Sequence, residues 1–319
     1  MSILVLNHCD LDAVGCKIVL DYFGFYYDRM ISINYDSLDN LEKFEKDYSI
    51  LDYDKIICTD FSLPTVYVKK LLSLGKIVEI YDHHDYENNE LTKDLLSIKH
   101  DNYKIVHDTA KCGTSIVAQE FKGRFRLKPI FNQFIKIVET YDLYKKKDAL
   151  WVDAENCNRV LWGCINWSET DSIKKFDFIC SYWLNKIHSY DNWFWSDFEQ
   201  QKITRAKEIE QEAYTQAMLT YKTAIDDKGI KYGMAVAEKK ISTVASLILE
   251  NKKDIVYLIM FNTYHKEWGK LSLRTLEDSG FDCTQFVECQ GHKEASGGSV
   301  DSELAKKIYR GIKKLTYKD

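Results

Sequence analysis

The chain is expected to fold as α/β, with a parallel-sheet N-terminal domain joined by a long helix to a smaller α/β C-terminal domain. Three observations carry that expectation. Apolar runs suited to strands alternate with helical stretches over residues 1–110, which implies a parallel sheet covered on both faces. One long amphipathic stretch follows at 196–224, where Ala206, Ile209, Ala213, Ala217 and Tyr221 recur at three- and four-residue spacing. From about residue 230 a second set of strand and helix patterns begins. The boundaries implied are a first domain over 1–150, a helical insert and connecting helix over 151–225, and a last domain over 226–319.

The first domain reads in order. Runs near 3–7, 29–34, 55–59, 76–81 and 103–107 are strand-like, and 12–23, 37–47 and 64–74 are helical. Helices near 113–122 and 129–142 follow, and Pro129 suits a first helical turn. Residues 151–195 hold six of the seven tryptophans: Trp151, Trp162, Trp167, Trp183, Trp193 and Trp195. Core packing explains such aromatics first, and base stacking is the functional alternative. In the last domain Lys231–Ala237, Asp254–Asn262 and Lys270–Thr275 read as strands, with helices near 241–251 and 301–314.

Composition excludes several classes. With 319 residues, 45% of them hydrophobic, 13% aromatic and only 2 proline, the chain has the material for two packed cores and not for a disordered segment. No apolar run reaches 18 residues and no signal-like leader precedes Ile3, which predicts a soluble cytoplasmic protein without membrane partners. Nine scattered cysteines, none in a C-x-x-C pair, read as reduced buried thiols. A net charge of −5 argues against coating long nucleic acid by bulk charge. The charge is unevenly split. Residues 226–319 carry 16 Lys and Arg against 14 Asp and Glu, whereas residues 1–225 carry 28 against 35.

Four clusters concentrate the chemistry. Asn7-His8-Cys9-Asp10-Leu11-Asp12, Asp60 and Asp82-His83-His84 each follow a strand-like run, and Asp142 closes a helix. In open parallel sheets ligands bind at the carboxyl ends of strands. So many carboxylates and imidazoles share one rim only if cations neutralise them. In the His8-x-Asp10-x-Asp12 pattern, alternate residues of an extended segment would face one cavity. Oxygen-rich ligands with one or two imidazoles suit Mn²⁺ or Mg²⁺. Taken singly the signals are weak: a D-x-D is more often a solvated turn, and a strand-end Asp often caps the next helix. Their joint order at successive strand ends points to a metal-dependent hydrolase.

In that order His8-x-Asp10-x-Asp12, Asp60, Asp82-His83-His84 and Asp142 resemble the four motifs of the DHH phosphoesterases. Ser272-Leu273-Arg274 resembles the S-L-R element of the DHH-associated domain, and residues Gly291 to Gly298 resemble its G-G-H-x-x-A-x-G-G segment, with Gln290 in place of the first glycine. The resemblance covers 1–142 and about 230–315, not 151–200. It implies two Mn²⁺, with Mg²⁺ as a substitute: one held by His8, Asp10 and Asp60, the other by Asp12, Asp60, His83 and Asp142. It implies that His84 faces the scissile phosphate and that Asp82 supports the histidines. It further implies that Ser272, Arg274, Gly291, His292, Gly297 and Gly298 grip a second phosphate or terminal nucleotide. The glycines also allow close backbone approach to an anion, whereas a plain turn at Gly297-Gly298 is the bland alternative.

The resemblance is greatest to nanoRNase-type oligoribonucleases, which implies an Mn-dependent phosphodiesterase or exonuclease acting on short RNA or DNA oligonucleotides or nucleotides. Alternatives within the family are a RecJ-like single-strand exonuclease and a cyclic-dinucleotide phosphodiesterase. Outside enzymes, a DHH-like scaffold in a replication or repair assembly is the alternative, although such proteins lose metal ligands that this chain keeps. The sequence leaves room for a homodimer.

Overall fold

The computed structural model describes all residues except 34, 39, 87, 88, 124, 125, 166–171, 263–269, 277, 278, 287, 288, 292, 312, 318 and 319. It divides into two compact units, Met1–Ile203 and Thr204–Asp319.

The first unit is built on five parallel strands: β1 (Ile3–Asn7), β2 (Arg29–Ser32), β3 (Lys55–Thr59), β4 (Ile77–Asp82) and β5 (Tyr103–His107), in the order β2-β1-β3-β4-β5. Its central strands read as unbroken apolar runs because both faces are covered. Leu4, Leu6, Ile56, Cys58, Val78 and Ile80 point into one core. There they meet Phe44 of α2 (Leu41–Tyr48) and Tyr67, Val68 and Leu71 of α3 (Thr65–Ser73). Val5, Ile57 and Tyr81 point into the other. Its helices are α1 (Leu11–Tyr22), α4 (Gly113–Phe121), α5 (Pro129–Asp142), α6 (Trp151–Cys164) and α7 (Ser172–Ser189). The register aligns Asn7 with Thr59, Thr59 with Tyr81, and Asp82 with His107. The residues that follow, His8, Asp60 and His83, therefore leave the sheet at one rim.

The tryptophans of the insert divide between core and surface, and Trp162 is exposed. Trp183 and Trp193 are buried in the first unit. Trp195 Nε1 donates to Asp153 Oδ1 and Trp183 Nε1 to Glu199 Oε1. Trp167 lies outside the described residues.

Helix α8 (Asp197–Thr220) carries the chain from one unit into the next. It ends four residues earlier than its apolar spacing predicts. The Thr220 hydroxyl accepts from Val236 N, and residues 222–225 beyond it pair with 231–234 as a short strand. The strands of the second unit are β6 (Lys222–Ile225), β7 (Lys231–Ala237), β8 (Tyr257–Asn262), β9 (Lys270–Thr275), β10 (Gln290–Gly291) and β11 (Ala295–Ser299). They form one sheet in the order β10-β11-β9-β8-β7-β6. Only β7 and β8 run parallel. Helix α9 (Ile241–Asn251) packs Val244, Ala245 and Ile248 against Leu258 and Met260. Helix α10 (Ser302–Tyr309) packs Ala305 and Ile308 with Ile259 and Phe261. It stops short of residue 314 because Gly311 takes a left-handed φ of 75°. Among the described residues no helix is long and apolar enough to cross a membrane.

Candidate metal centre

Each cluster residue is placed by a distinct local device. Asp10 is the N-cap of α1: its Oδ1 accepts from Ala13 N at 3.0 Å, leaving Oδ2 at 3.0 Å from His8 Nδ1. The bland capping role and a ligand role are thus divided between two oxygens of one carboxylate. Because the cap starts the helix at Leu11, Asp12 sits in its first turn, not in an extended segment as the alternating pattern suggests. Its carboxylate is held instead from α4, by Gly113 N at 2.5 Å and Thr114 N at 2.8 Å. The unpaired amides of a helix N-terminus suit an anion. A Cβ on Gly113 would lie 2.9 Å from Asp12 Oδ2. The sequence reading missed Gly113 and Thr114. A glycine opening a helix just after a strand was the available signal.

Asp60 follows β3 in the left-handed region, with φ 50°. Non-glycine residues enter it at a cost, aspartate and asparagine least. Its two oxygens face different partners. Oδ1 is 3.3 Å from His83 Nε2, and Oδ2 is 4.0 Å from His8 Nδ1. His83 Nε2 also lies 3.4 Å from Asp142 Oδ2 and 3.9 Å from Asp12 Oδ2. Asp142 closes α5 at its C-terminal end, where a negative charge is unfavourable. Asp82, at the end of β4, accepts from His83 N at 2.8 Å and His84 Nδ1 at 2.7 Å on Oδ1, and from Tyr86 Oη at 2.7 Å on Oδ2. His84 is the most open of these side chains, at 39% exposure.

The electrostatics follow the crowding. Burial and the carboxylates of Asp10, Asp12 and Asp142 push Asp60 well above the usual range. Burial and the charges of Asp12 and Asp10 do the same to Asp142. Burial lowers His83, with His84 adding to the effect. Burial works against both members of the Asp82–His84 pair, but their mutual charge and hydrogen bond outweigh it. Asp82 is held below the carboxylate range and His84 raised to about 9.

Three overlapping sets of ligand atoms lie within 4.8 Å of one another: His8, Asp10 and Asp60; Asp12, His83 and Asp142; and Asp60, Asp82, His83 and His84. Asp60 Oδ2, His83 Nε2 and Asp142 Oδ2 are buried and find no hydrogen-bond partner among the described residues. Buried polar atoms are otherwise almost always bonded. Orphaned carboxylate and imidazole atoms converging in this way fit divalent cations with oxygen and nitrogen ligands.

The residues expected to grip substrate lie in the second unit. Ser272 and Arg274 are on β9, and β11 pairs with it so that Gly297 opposes Ser272, Gly298 opposes Leu271 and Ala295 opposes Arg274. Gly291, opposite Ser296, and Gly297 and Gly298 thus lie in paired strands, and Gly297-Gly298 is not a plain turn. Ser272 is buried. Arg274 Nη1 donates to the carbonyls of Leu273 at 2.8 Å and Ser296 at 3.3 Å. His292 lies outside the described residues.

A doubly covered parallel sheet with aspartates and histidines gathered at one rim, followed by a smaller mixed-sheet unit, is a fold this chain shares with solved structures that include a DHH-domain protein. Among solved structures, a DHH-domain protein described as belonging to a family of ribosomal proteins superposes with a TM-score of 0.62 at 12% identity, over 99% of this chain and 87% of that one. A pGpG-specific phosphodiesterase from Vibrio cholerae gives 0.57 at 11% identity, over 98% and 97%. An uncharacterized protein from Helicobacter pylori gives 0.46 at 18% identity, over 98% of each chain. No family model and no curated protein matches the chain in sequence.

Proposed function

We propose that this chain is a metal-dependent phosphodiesterase that hydrolyses short oligonucleotides, in a cytoplasmic setting consistent with nine unbridged cysteines. The observation that carries the proposal is the position of Asp60 between two ligand sets, one carboxylate oxygen toward each. A carboxylate shared in this way can hold two cations about 3.5–4 Å apart, the spacing that two-metal phosphoryl chemistry uses. We assign His8, Asp10 and Asp60 to one Mn²⁺ and Asp12, Asp60, His83 and Asp142 to the other, with Mg²⁺ as a substitute. When bound, such cations lower the pKa of water and neutralise charge on a phosphate.

The chain's own residues supply the rest. His84 Nδ1 is bonded to Asp82 Oδ1 at 2.7 Å, an interaction that favours the protonated imidazole. At the open side of the site it can donate a charge-assisted hydrogen bond to a phosphate oxygen or a proton to the leaving oxygen. In the second unit, Arg274 and the glycine strand pair are assigned to a terminal phosphate or nucleotide. A linear dinucleotide is favoured as substrate, because the full-length likeness extends to a protein described as pGpG-specific.

The test offers the purified protein, with Mn²⁺ and with Mg²⁺, a set of substrates side by side: dinucleotides, 20-mer RNA and DNA, cyclic dinucleotides and 3′-phosphoadenosine 5′-phosphate. Faster turnover of dinucleotides, abolished by a chelator, is the expected result. Preference for 20-mers would favour the RecJ-like alternative, and no turnover of any substrate would leave the scaffold reading.

A further inference from the structure

We propose that Tyr86 sets the role of Asp82, because the tyrosine hydroxyl holds the Asp82 carboxylate as the partner of His84 and away from the cation positions. Tyr86 is then a positioning residue for the reaction, and in its kinetic part the proposal rests on the phosphodiesterase reading above.

By distance alone Asp82 is a candidate ligand. One of its oxygens lies within 4.8 Å of ligand atoms of Asp60, His83 and His84. A further carboxylate turned toward the cations would change both their charge balance and the support of His84. Hydrogen bonding argues against that orientation. A carboxylate has about four lone-pair sites, and Asp82 faces four donors. His83 N at 2.8 Å, His84 N at 3.4 Å and His84 Nδ1 at 2.7 Å converge on Oδ1. Oδ2 accepts from Tyr86 Oη at 2.7 Å. The three Oδ1 donors belong to the residues next in sequence and come with the turn. The Oδ2 donor is the one supplied by a separate side chain.

That side chain is clamped. The Tyr86 ring is buried at 1% exposure and lies on the His107 ring, with centroids 4.5 Å apart and planes at 21°. His107 stands opposite Asp82 in the pairing of β4 with β5. Its Nε2 donates to the carbonyl of His84 at 2.7 Å. One imidazole therefore fixes both the tyrosine that holds Asp82 and the backbone that carries His84. The last strand of the sheet thus buttresses the hydroxyl through the His107 ring.

Tyr86→Phe tests this by removing one oxygen atom while keeping the ring on His107. Mn²⁺ titration by calorimetry needs no substrate. The freed Oδ2 adds a charged ligand, so the variant is expected to bind Mn²⁺ about tenfold more tightly than the wild type. With a dinucleotide, kcat is expected to fall about 10–100-fold while KM stays within about twofold, since His84 loses its orienting partner and the substrate grip is untouched. His107→Gln keeps a donor for the His84 carbonyl but removes the ring under Tyr86. It should shift both readouts in the same directions by less, and it serves if Tyr86→Phe fails to fold. Unchanged or weaker Mn²⁺ binding overturns the proposal, and so does an unchanged kcat in a protein whose wild type is active. If the wild type hydrolyses nothing, the phosphodiesterase reading fails and the titration alone decides the role of Tyr86.

Discussion

Gly113 and Asp60 are packed so closely that a methyl group on Gly113 would lie 2.7 Å from Asp60 Cβ and 3.0 Å from its Cα. The same methyl would lie 2.9 Å from Asp12 Oδ2, which accepts from Gly113 N. The start of α4 thus packs tightly on two aspartates at once, and Asp60 already has a strained backbone conformation.

Gly113→Ala should therefore act as a metal-site mutation although it removes no ligand. Overpacking of a tight site costs about 1–3 kcal/mol, and displaced supporting groups typically cost about 10–100-fold in metal affinity. Calorimetric Mn²⁺ titration alongside a thermal melt of the metal-free protein separates the two effects. Wild-type Mn²⁺ affinity in the variant would show that α4 gives way without moving Asp60 or Asp12.

Asp60→Asn is expected to have opposite effects with and without metal. Asparagine tolerates the left-handed φ at this position, so backbone cost is small. With Mn²⁺, loss of the shared carboxylate should lower kcat by about 10³-fold or more, since metal positioning and charge stabilisation each supply several kcal/mol. Without metal, the sign follows from the raised carboxyl of Asp60. A carboxyl whose folded-state pKa lies above its unfolded value of about 4 stabilises the fold at low pH. That contribution drains away as pH rises from about 4 through the folded-state value. Asn has no such loss. The variant should melt above the wild type in chelator at neutral pH, by a margin that grows as pH rises above the unfolded carboxyl value of about 4 toward the raised folded-state value. A variant that melts lower throughout would mean that the aspartates do not repel one another in the metal-free protein.

Much of this site was legible because parallel strands buried on both faces announce themselves as apolar runs, and the residues after them share a rim. His8, Asp60 and His83 could be placed beside one another on that basis. Asp12 could not. The H-x-D-x-D alternation suggests an extended segment, but the Asp10 cap begins a helix one residue earlier than alternation needs. The donors to Asp12 come from residues 101 and 102 positions away, and tertiary pairings of that kind leave no local pattern. Strands β6 and β10, of four and two residues, are too short to show a period, and β11 holds two glycines that read as a turn. The tryptophan-rich segment has no family pattern to match, and its organising feature is a buried ion pair.

That pair is Lys186 and Glu199, 3% and 0% exposed, with Nζ to Oε2 at 2.5 Å. Lys186 also donates to the Phe194 carbonyl and lies over the Trp193 and Phe194 rings at 4.6 and 4.7 Å. Glu199 accepts from Trp183 Nε1, Ser196 N and Ser196 Oγ. Burial lowers the lysine even against the attraction of Glu199. Glu199→Leu would strand a buried ammonium, at a cost of about 3–5 kcal/mol. Lys186→Met combined with Glu199→Leu should recover most of that loss, because replacing both charges removes the desolvation penalty. Urea unfolding of the single and double variants checks the ordering. Equal destabilisation would assign the stability to the tryptophan and serine hydrogen bonds instead.

The last prediction concerns the division of labour between the two units. Among the described residues, every candidate metal group belongs to Met1–Ile203, whereas Arg274 lies in Thr204–Asp319. If Arg274 grips the substrate, its loss should weaken substrate binding and leave the metals in place. Its Nη1 is already committed to the Leu273 and Ser296 carbonyls, which orient the guanidinium along the β9–β11 pairing. A charge-assisted contact to an anion contributes about 1.5–3 kcal/mol, so Arg274→Ala should raise KM about tenfold or more. Arg274→Lys should fall between the two, since it keeps the charge but loses the planar fork. His292→Ala should change KM in the same direction. Mn²⁺ affinity, measured in parallel, should stay at the wild-type value in all three. KM values within about twofold of wild type for Arg274→Ala and His292→Ala, with dinucleotides and 20-mers alike, would place the substrate grip outside the S-L-R strand and the glycine strand pair.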